Sequence, residues 1–283
     1  MGLWESIAGL PEAIASAFLG AFSNLFVAFI TPLLETAKVL ITYNIDPNNY
    51  AQYWQAIVVV LSAFYLLLFV IVGLKFLLGS YSPEQRTEAK EWLKNAIFLL
   101  VLINASLLIY SLLLQLSQGI AVTLWNNGLE EFFRFENASA IDLLWLIIIA
   151  IALFLALLSL FFRHLIVIVG VMLFPIGLFL YFIEPLRGYG SGILNVLGAG
   201  VFMQVLDVII LIGVSLLGKE FSFLQGMTGL SLTVGFLFIA LANLALISFA
   251  LKKAVSAVGV KVSIRQTVQH ISKGLVNRES ALN

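Results

Sequence analysis

Long apolar windows without a single acidic or basic residue divide this chain. They fall at 13–34, 47–74, 95–129, 143–162, 165–183, 188–206, 208–218 and 221–251. A membrane-crossing helix needs about 20 apolar residues, and a bilayer accepts only helices or closed barrels because every backbone polar group must be satisfied internally. The pattern predicts an all-α, polytopic transmembrane bundle with five to seven membrane helices. Crossings are placed near 54–74, 96–116 and 230–250, with another near 195–217 interrupted by Asp207. The run from 143 to 183 holds one charge (Arg163), one imidazole (His164) and one proline (Pro175). It reads either as a hairpin turning at Arg163–His164 or as one long helix from about Asp142 to the Pro175 region, followed by a break. No Gly, Pro, Asn or Asp lies between 143 and 169, so turn chemistry is missing and continuity is favoured.

Charge asymmetry gives a second argument on the same point. The 75–94 segment carries Lys75, Arg86, Lys90 and Lys94, and the tail carries Lys252, Lys253, Lys261, Arg265, Lys273 and Arg278. Both should face the cytoplasm, so an even number of crossings must separate them. One long helix gives four; a hairpin gives five. The expected arrangement has five or six crossings in the plasma membrane with the C-terminus cytoplasmic. Its parts are 1–53 (an N-terminal membrane or interfacial helix and outer loop), 54–251 (the transmembrane bundle) and 252–283 (a basic tail). Ile264, Val268, Ile271 and Leu275 would share one face of a tail helix, with Lys261, Arg265 and Lys273 available to anionic lipids.

Composition excludes several classes. Hydrophobic residues make up 61 % and charged residues 11 % of 283, with mean hydropathy +1.07. Basic and acidic residues balance at 15 each, so no global field recruits nucleic acid. There is no cysteine, which removes thiolate catalysis and cysteine-ligated metals. His164 and His270 lack metal-ligand spacing, the order Tyr189-Gly190-Ser191-Gly192 is not a serine-protease elbow, and no phosphate-binding loop occurs. Neither an enzyme nor a cofactor is expected.

Local signals add detail. In window 13–34, Ala13, Ser16, Ala17, Gly20, Ala21, Asn24 and Ala28 share one helical face and Phe18, Phe22, Phe26 and Phe29 another, so the small face should pack on other helices, including those of neighbouring copies. Ser82 and Pro83 read as N-cap and first residue of a polar helix. Asn126-Asn127-Gly128 reads as a turn, and Tyr53, Trp54, Trp92, Trp125, Trp145, Tyr181 and Tyr189 as interfacial aromatics.

Candidate chemistry is confined to a few buried polar positions. Asp207 lies mid-span, with Gln204 and Gly200 on its face. A carboxyl at that depth costs about 2.5–3.5 kcal/mol, so it faces a wet cavity or a partner such as Gln204 or Arg163. Arg163 cannot shed its proton and needs a carboxylate, a phosphate or water; snorkelling to the interface is the simplest solution. Pro175, Glu184, Pro185, Arg187, Gly188, Gly190 and Gly192 suggest a break, a loop and a restart within the membrane zone. Such backbone is tolerated only when buried in protein or lining a cavity, which makes it the candidate hinge or channel lining.

The order of parts resembles the TrbL-like polytopic channel subunits of type IV secretion and conjugation machines, the archaeal Ced DNA-import members above all. The resemblance runs over about 75–250: a long apolar helix with Arg163, then Pro175-Ile176, the Pro185–Gly192 loop and two further spans. SPEQRTEAKEWLKNAI also looks like the cytoplasmic loops of conjugation-pilus subunits. The absence of a larger periplasmic or C-terminal region suits the archaeal branch. The resemblance implies a homo-oligomeric subunit in contact with membrane lipids, a cytoplasmic ATPase, pilin-like small membrane subunits and DNA as cargo. It also implies that Arg163, Pro175 and the 185–192 loop serve assembly or the translocation path. The alternative is a proton-coupled transporter of a small solute using Asp207, though inverted repeats are not visible.

Overall fold

The computed structural model describes residues 10–43, 45–78, 83–129, 140–183, 186–221 and 228–258. Among them are α1 (Leu10–Thr42), a 3-10 turn (Pro47–Tyr50), α2 (Ala51–Leu78), α3 (Pro83–Asn104), α4 (Ser106–Gly128), α5 (Ala140–Phe182), α6 (Arg187–Glu220) and α7 (Thr228–Val258), and no strand. Five segments are long and apolar enough to cross a membrane: Pro47–Leu77, Ser106–Gly128, Ile147–Phe182, Arg187–Glu220 and Gly229–Ala250. The chain is an all-α polytopic bundle.

Helix α5 is the axis. It packs against each of the other six helices, most extensively against α7 and α6. Its 43 residues run unbroken through Arg163 and His164, so the hairpin reading fails. Pro175 does not end the helix either: it is buried inside α5, and the break comes after Phe182. Proline removes one backbone hydrogen bond, but neighbouring helices hold the turn in place, as membrane bundles commonly do. Four spans, α4 to α7, therefore lie between the two basic regions.

Other boundaries shift for local reasons. The crossing expected near 96–116 straddles two helices that meet at Ala105. Backbone hydrogen bonding continues across this point, from Ala105 N to Val101 O and from Ile109 N to Ala105 O, both 2.9 Å. The interruption coincides with side chains competing for backbone carbonyls: Asn104 Nδ2 donates to Leu100 O (2.8 Å) and Ser106 Oγ to Ile103 O (2.6 Å). Asn126 and Asn127 are not a turn but the last residues of α4, which stops after Gly128. Pro83 opens α3 as expected, with Ser82 outside the described residues. At the far end of the α2–α3 pair, Lys75 Nζ sits 2.5 Å from Glu88 Oε1 and 4.2 Å from the Trp92 ring centroid.

Apolar packing forms two clusters. The first joins Ile30, Leu34, Ala37 and Ile41 of α1 to Ala121 and Trp125 of α4, Ile149–Leu160 of α5, Val208 and Leu211 of α6, and Leu232–Ala240 of α7. The second joins Ile45, Leu61 and Tyr65 to Leu99 and Ile103 of α3, Tyr110 and Leu114 of α4, Val167–Phe179 of α5, and Leu197 and Val201 of α6. Trp125 is thus a core residue. In the first half of α1, by contrast, Ala17, Gly20, Ala21, Asn24, Ala28 and Phe29 are exposed, and among the described side chains the first buried one is Ile30. Among the described residues nothing covers that small-residue face; the Ala13 side chain lies outside them.

Candidate functional site

Between the two apolar clusters lies a layer of polar side chains contributed by α4, α5, α6 and α7. In α4, Ser117 and Gln118 fall between Leu114 of one cluster and Ala121 of the other. Arg163 and His164 fall between Leu160 and Val167 of α5, and Gln204 and Asp207 between Val201 and Val208 of α6. In α1 the boundary is the helix end itself, between Ile41 and Ile45. Asn243 supplies the α7 member.

The centre is a buried ion pair. Arg163 Nη1 donates to Asp207 Oδ2, with the two residues 2 % and 0 % exposed. The other carboxylate oxygen, Oδ1, accepts from Asn243 Nδ2 at 2.7 Å, and the same nitrogen also donates to Ile239 O at 3.0 Å. The second arm of the guanidinium donates from Nη2 to the backbone carbonyl of Leu40 at 2.9 Å. Leu40 belongs to the last turn of α1, where carbonyls lack intrahelical partners and carry the negative end of the helix dipole. Nearby, Gln118 Nε2 approaches Thr42 O at 3.5 Å and Ser117 Oγ donates to Val201 O at 2.7 Å. One guanidinium thus ties α1, α5 and α6 together, and Asn243 adds α7. Both charges are compensated, the condition for tolerating them away from water.

Sequence reasoning found Arg163, His164, Gln204 and Asp207, and the structure brings them together. The snorkelling expectation for Arg163 fails, because a carboxylate on the neighbouring helix satisfies it in the interior. Asn243 was missed although it is the lone amide in the apolar run 230–250, itself a signal, since amides inside membrane helices bond across helix interfaces. The Leu40 carbonyl carries no side-chain signal at all.

The proline-glycine candidates sit elsewhere, at the α5–α6 junction. Glu184 and Pro185 lie outside the described residues; Arg187 and Gly188 are exposed, and Gly190 and Gly192 are buried inside α6. Arg187 Nε donates to Tyr181 O at 3.3 Å, satisfying a carbonyl at the end of α5. Gly190 is a point of close backbone approach: an added Cβ would stand 2.2 Å from Tyr181 N and 2.7 Å from Gly177 O. The three glycines do not form a loop, since all of them lie within the helix.

An α-helical bundle of five candidate spans, with a buried ion pair joining its helices, defines a polytopic membrane protein. The chain belongs to the TrbL/VirB6 plasmid conjugal transfer-like protein family, whose model matches residues 42–281. It is accordingly a multi-pass membrane component of a conjugation or type IV secretion system, a family of channel subunits. Searches of curated proteins and of solved structures gave no match.

Proposed function

We propose that this chain is an oligomeric channel or scaffold subunit of a type IV secretion-like machine that moves DNA across the plasma membrane, in the import direction of the archaeal members it resembles. The observation that carries the reading is a family match over residues 42–281 on a bundle of five candidate spans. In this role the Arg163–Asp207–Asn243 junction holds the end of α1 against α5, α6 and α7. The exposed Ala17–Gly20–Ala21 face of α1 is the surface offered to neighbouring copies or to pilin-like subunits. The C-terminus is cytoplasmic, beside the partner ATPase, and the Pro175–Gly192 region belongs to the translocation path or its assembly.

The proton-coupled transporter is weakened by the same geometry. Asp207 is fully buried, with one oxygen held by Arg163 and the other by Asn243, so its carboxylate is engaged in structure.

Gene deletion tests the proposal directly. A deletion strain should lose DNA uptake and recover it with the wild-type gene. Unchanged uptake would refute import, and unchanged conjugative transfer in either direction would refute the transport role. For topology, reporters fused after Arg187 and at Asn283 should map to the same side, because two spans separate them.

A further inference from the structure

Where α1 ends, a cavity of about 10 Å³ lies between α4, α5 and α6, lined by Tyr43, Arg163, His164, Gly200 and Gln204 among others. Gln204 is 7 % exposed, and its Nε2 has no hydrogen-bond partner among the described residues. A buried amide donor left in that state is costly, and interior polar groups normally find a protein or water partner. Across the same cavity, His164 Nδ1 lies 3.1 Å from Leu160 O. A carbonyl oxygen only accepts, so Nδ1 carries the hydrogen, and in the neutral ring Nε2 is left as an acceptor. Two residues that line the cavity are thus complementary: Gln204 on α6 has an unused donor, and His164 on α5 has Nε2 as the acceptor end of its ring.

We propose that this cavity binds one structural water, which accepts a hydrogen bond from Gln204 Nε2 and donates one to His164 Nε2. Three considerations select water over other occupants. The volume is about that of a single water site, and such a site needs two to four polar partners, which Gln204 and His164 begin to supply. A second cation would meet the Arg163 guanidinium in the cavity wall. An anion would find that guanidinium already neutralised by Asp207, leaving a net charge in the bundle interior. The water completes the polar layer beside the ion pair and links α5 to α6 at the level where α1 stops. This holds whatever cargo the protein moves.

The experiment uses the full-length protein in lipid nanodiscs. A high-resolution map should contain one ordered peak within hydrogen-bonding distance of both Gln204 Nε2 and His164 Nε2. Ordered side chains with no peak between them would overturn the proposal. Two variants give an independent test through the sign of their effect on the unfolding midpoint. Gln204→Leu deletes the donor. If water bridges the pair, the variant strands His164 Nε2 and the midpoint falls; if the site is dry, the variant removes an orphaned donor and the midpoint rises or is unchanged. Gly200→Ala adds a methyl group whose Cβ meets Ile166 and Val167 at ordinary contact distances of 3.5 and 3.7 Å, so the backbone tolerates it. Crowding a hydrated cavity lowers the midpoint, whereas filling a dry one leaves it unchanged or raises it. A rise or no change in both variants refutes the water site; a fall in both, with the peak present in wild type, supports it.

Discussion

Replacing Asp207 with leucine should be among the most damaging single changes in this protein. The variant leaves the Arg163 guanidinium buried, with the Leu40 carbonyl as its remaining partner and Asn243 Nδ2 deprived of its carboxylate. Arginine cannot neutralise itself by losing a proton. Breaking a buried ion pair from one side costs about 3–5 kcal/mol, or two to three and a half powers of ten in the unfolding equilibrium. Removing both charges together is different. Arg163→Leu with Asp207→Leu takes away the charge that would be stranded and leaves only the hydrogen bonds to Leu40 O and from Asn243 to make up, at about 1 kcal/mol each. The double variant should thus lie about 2 kcal/mol below wild type and well above Asp207→Leu alone, giving a coupling of several kcal/mol. Reversible unfolding of the full chain in mixed micelles, followed by helical circular dichroism across a denaturing-detergent titration, measures all four corners of the cycle: wild type, Asp207→Leu, Arg163→Leu and the double variant. The reasoning fails if Asp207→Leu unfolds within about 1 kcal/mol of wild type, or if the double variant costs as much as the two singles added.

Smaller perturbations check the packing around this junction. Gly190→Ala forces a Cβ to within 2.2 Å of backbone at Tyr181, so α5 and α6 must separate; a loss of about 1–3 kcal/mol is expected in the same titration. Gly188→Ala, two residues away with open space around the added Cβ, is the control and should be neutral or stabilising by up to about 1 kcal/mol. Tyr110→Phe deletes the 2.9 Å bond from the buried hydroxyl to Val167 O, with an expected loss of about 1 kcal/mol and no change in helicity. Lys75→Met, by contrast, should cost under about 1 kcal/mol, because its partner Glu88 is exposed.

The sequence made some of this architecture readable and hid the rest for identifiable reasons. Periodic punctuation was enough for α5: with no turn-forming residue from 143 to 169, an apolar chain in lipid has little choice but to continue its backbone ladder. Pro83 marked a helix start because its fixed φ suits a first turn. The same logic overreached at Pro175, which is buried and held helical by its neighbours, and at Asn126-Asn127, which are exposed and complete the last turn of α4 one residue before it stops. Asp207 was visible as an anomaly, but its partner was not, since Arg163 lies 44 residues earlier and pairing depends on the rotation of two helices. The role of Leu40 was illegible in principle, because a backbone carbonyl has no residue code; only the position of α1's end makes it a ligand.

The length of α5 leads to one last prediction. At 1.5 Å per residue its 43 residues extend about 65 Å, roughly twice the 30 Å hydrocarbon thickness. Even at the 40° upper end of usual tilts the helix would project about 50 Å along the membrane normal. From Ile147 to Leu165 one face of α5, including Ile151, Phe154, Leu158 and Phe161, is open to the surroundings while Ile149–Leu160 pack in the first cluster, whereas Val167 to Phe179 are enclosed by α2, α3, α4 and α6. Exposure returns at Tyr181. Ile148 and Tyr181 are both exposed, and 33 residues, about 50 Å of helix, separate them. Spin labels at these two positions cannot both sit in hydrocarbon unless α5 tilts beyond about 50°, well outside the usual range. Depth measurements against a lipid-soluble and a water-soluble relaxant should place at least one label outside the acyl region, in water or under a protein partner. If both labels report acyl-chain depth in the same nanodisc, α5 does not stand as a steep axis, and the polar layer at Arg163 and His164, midway between the labels, would lie within the hydrocarbon with them.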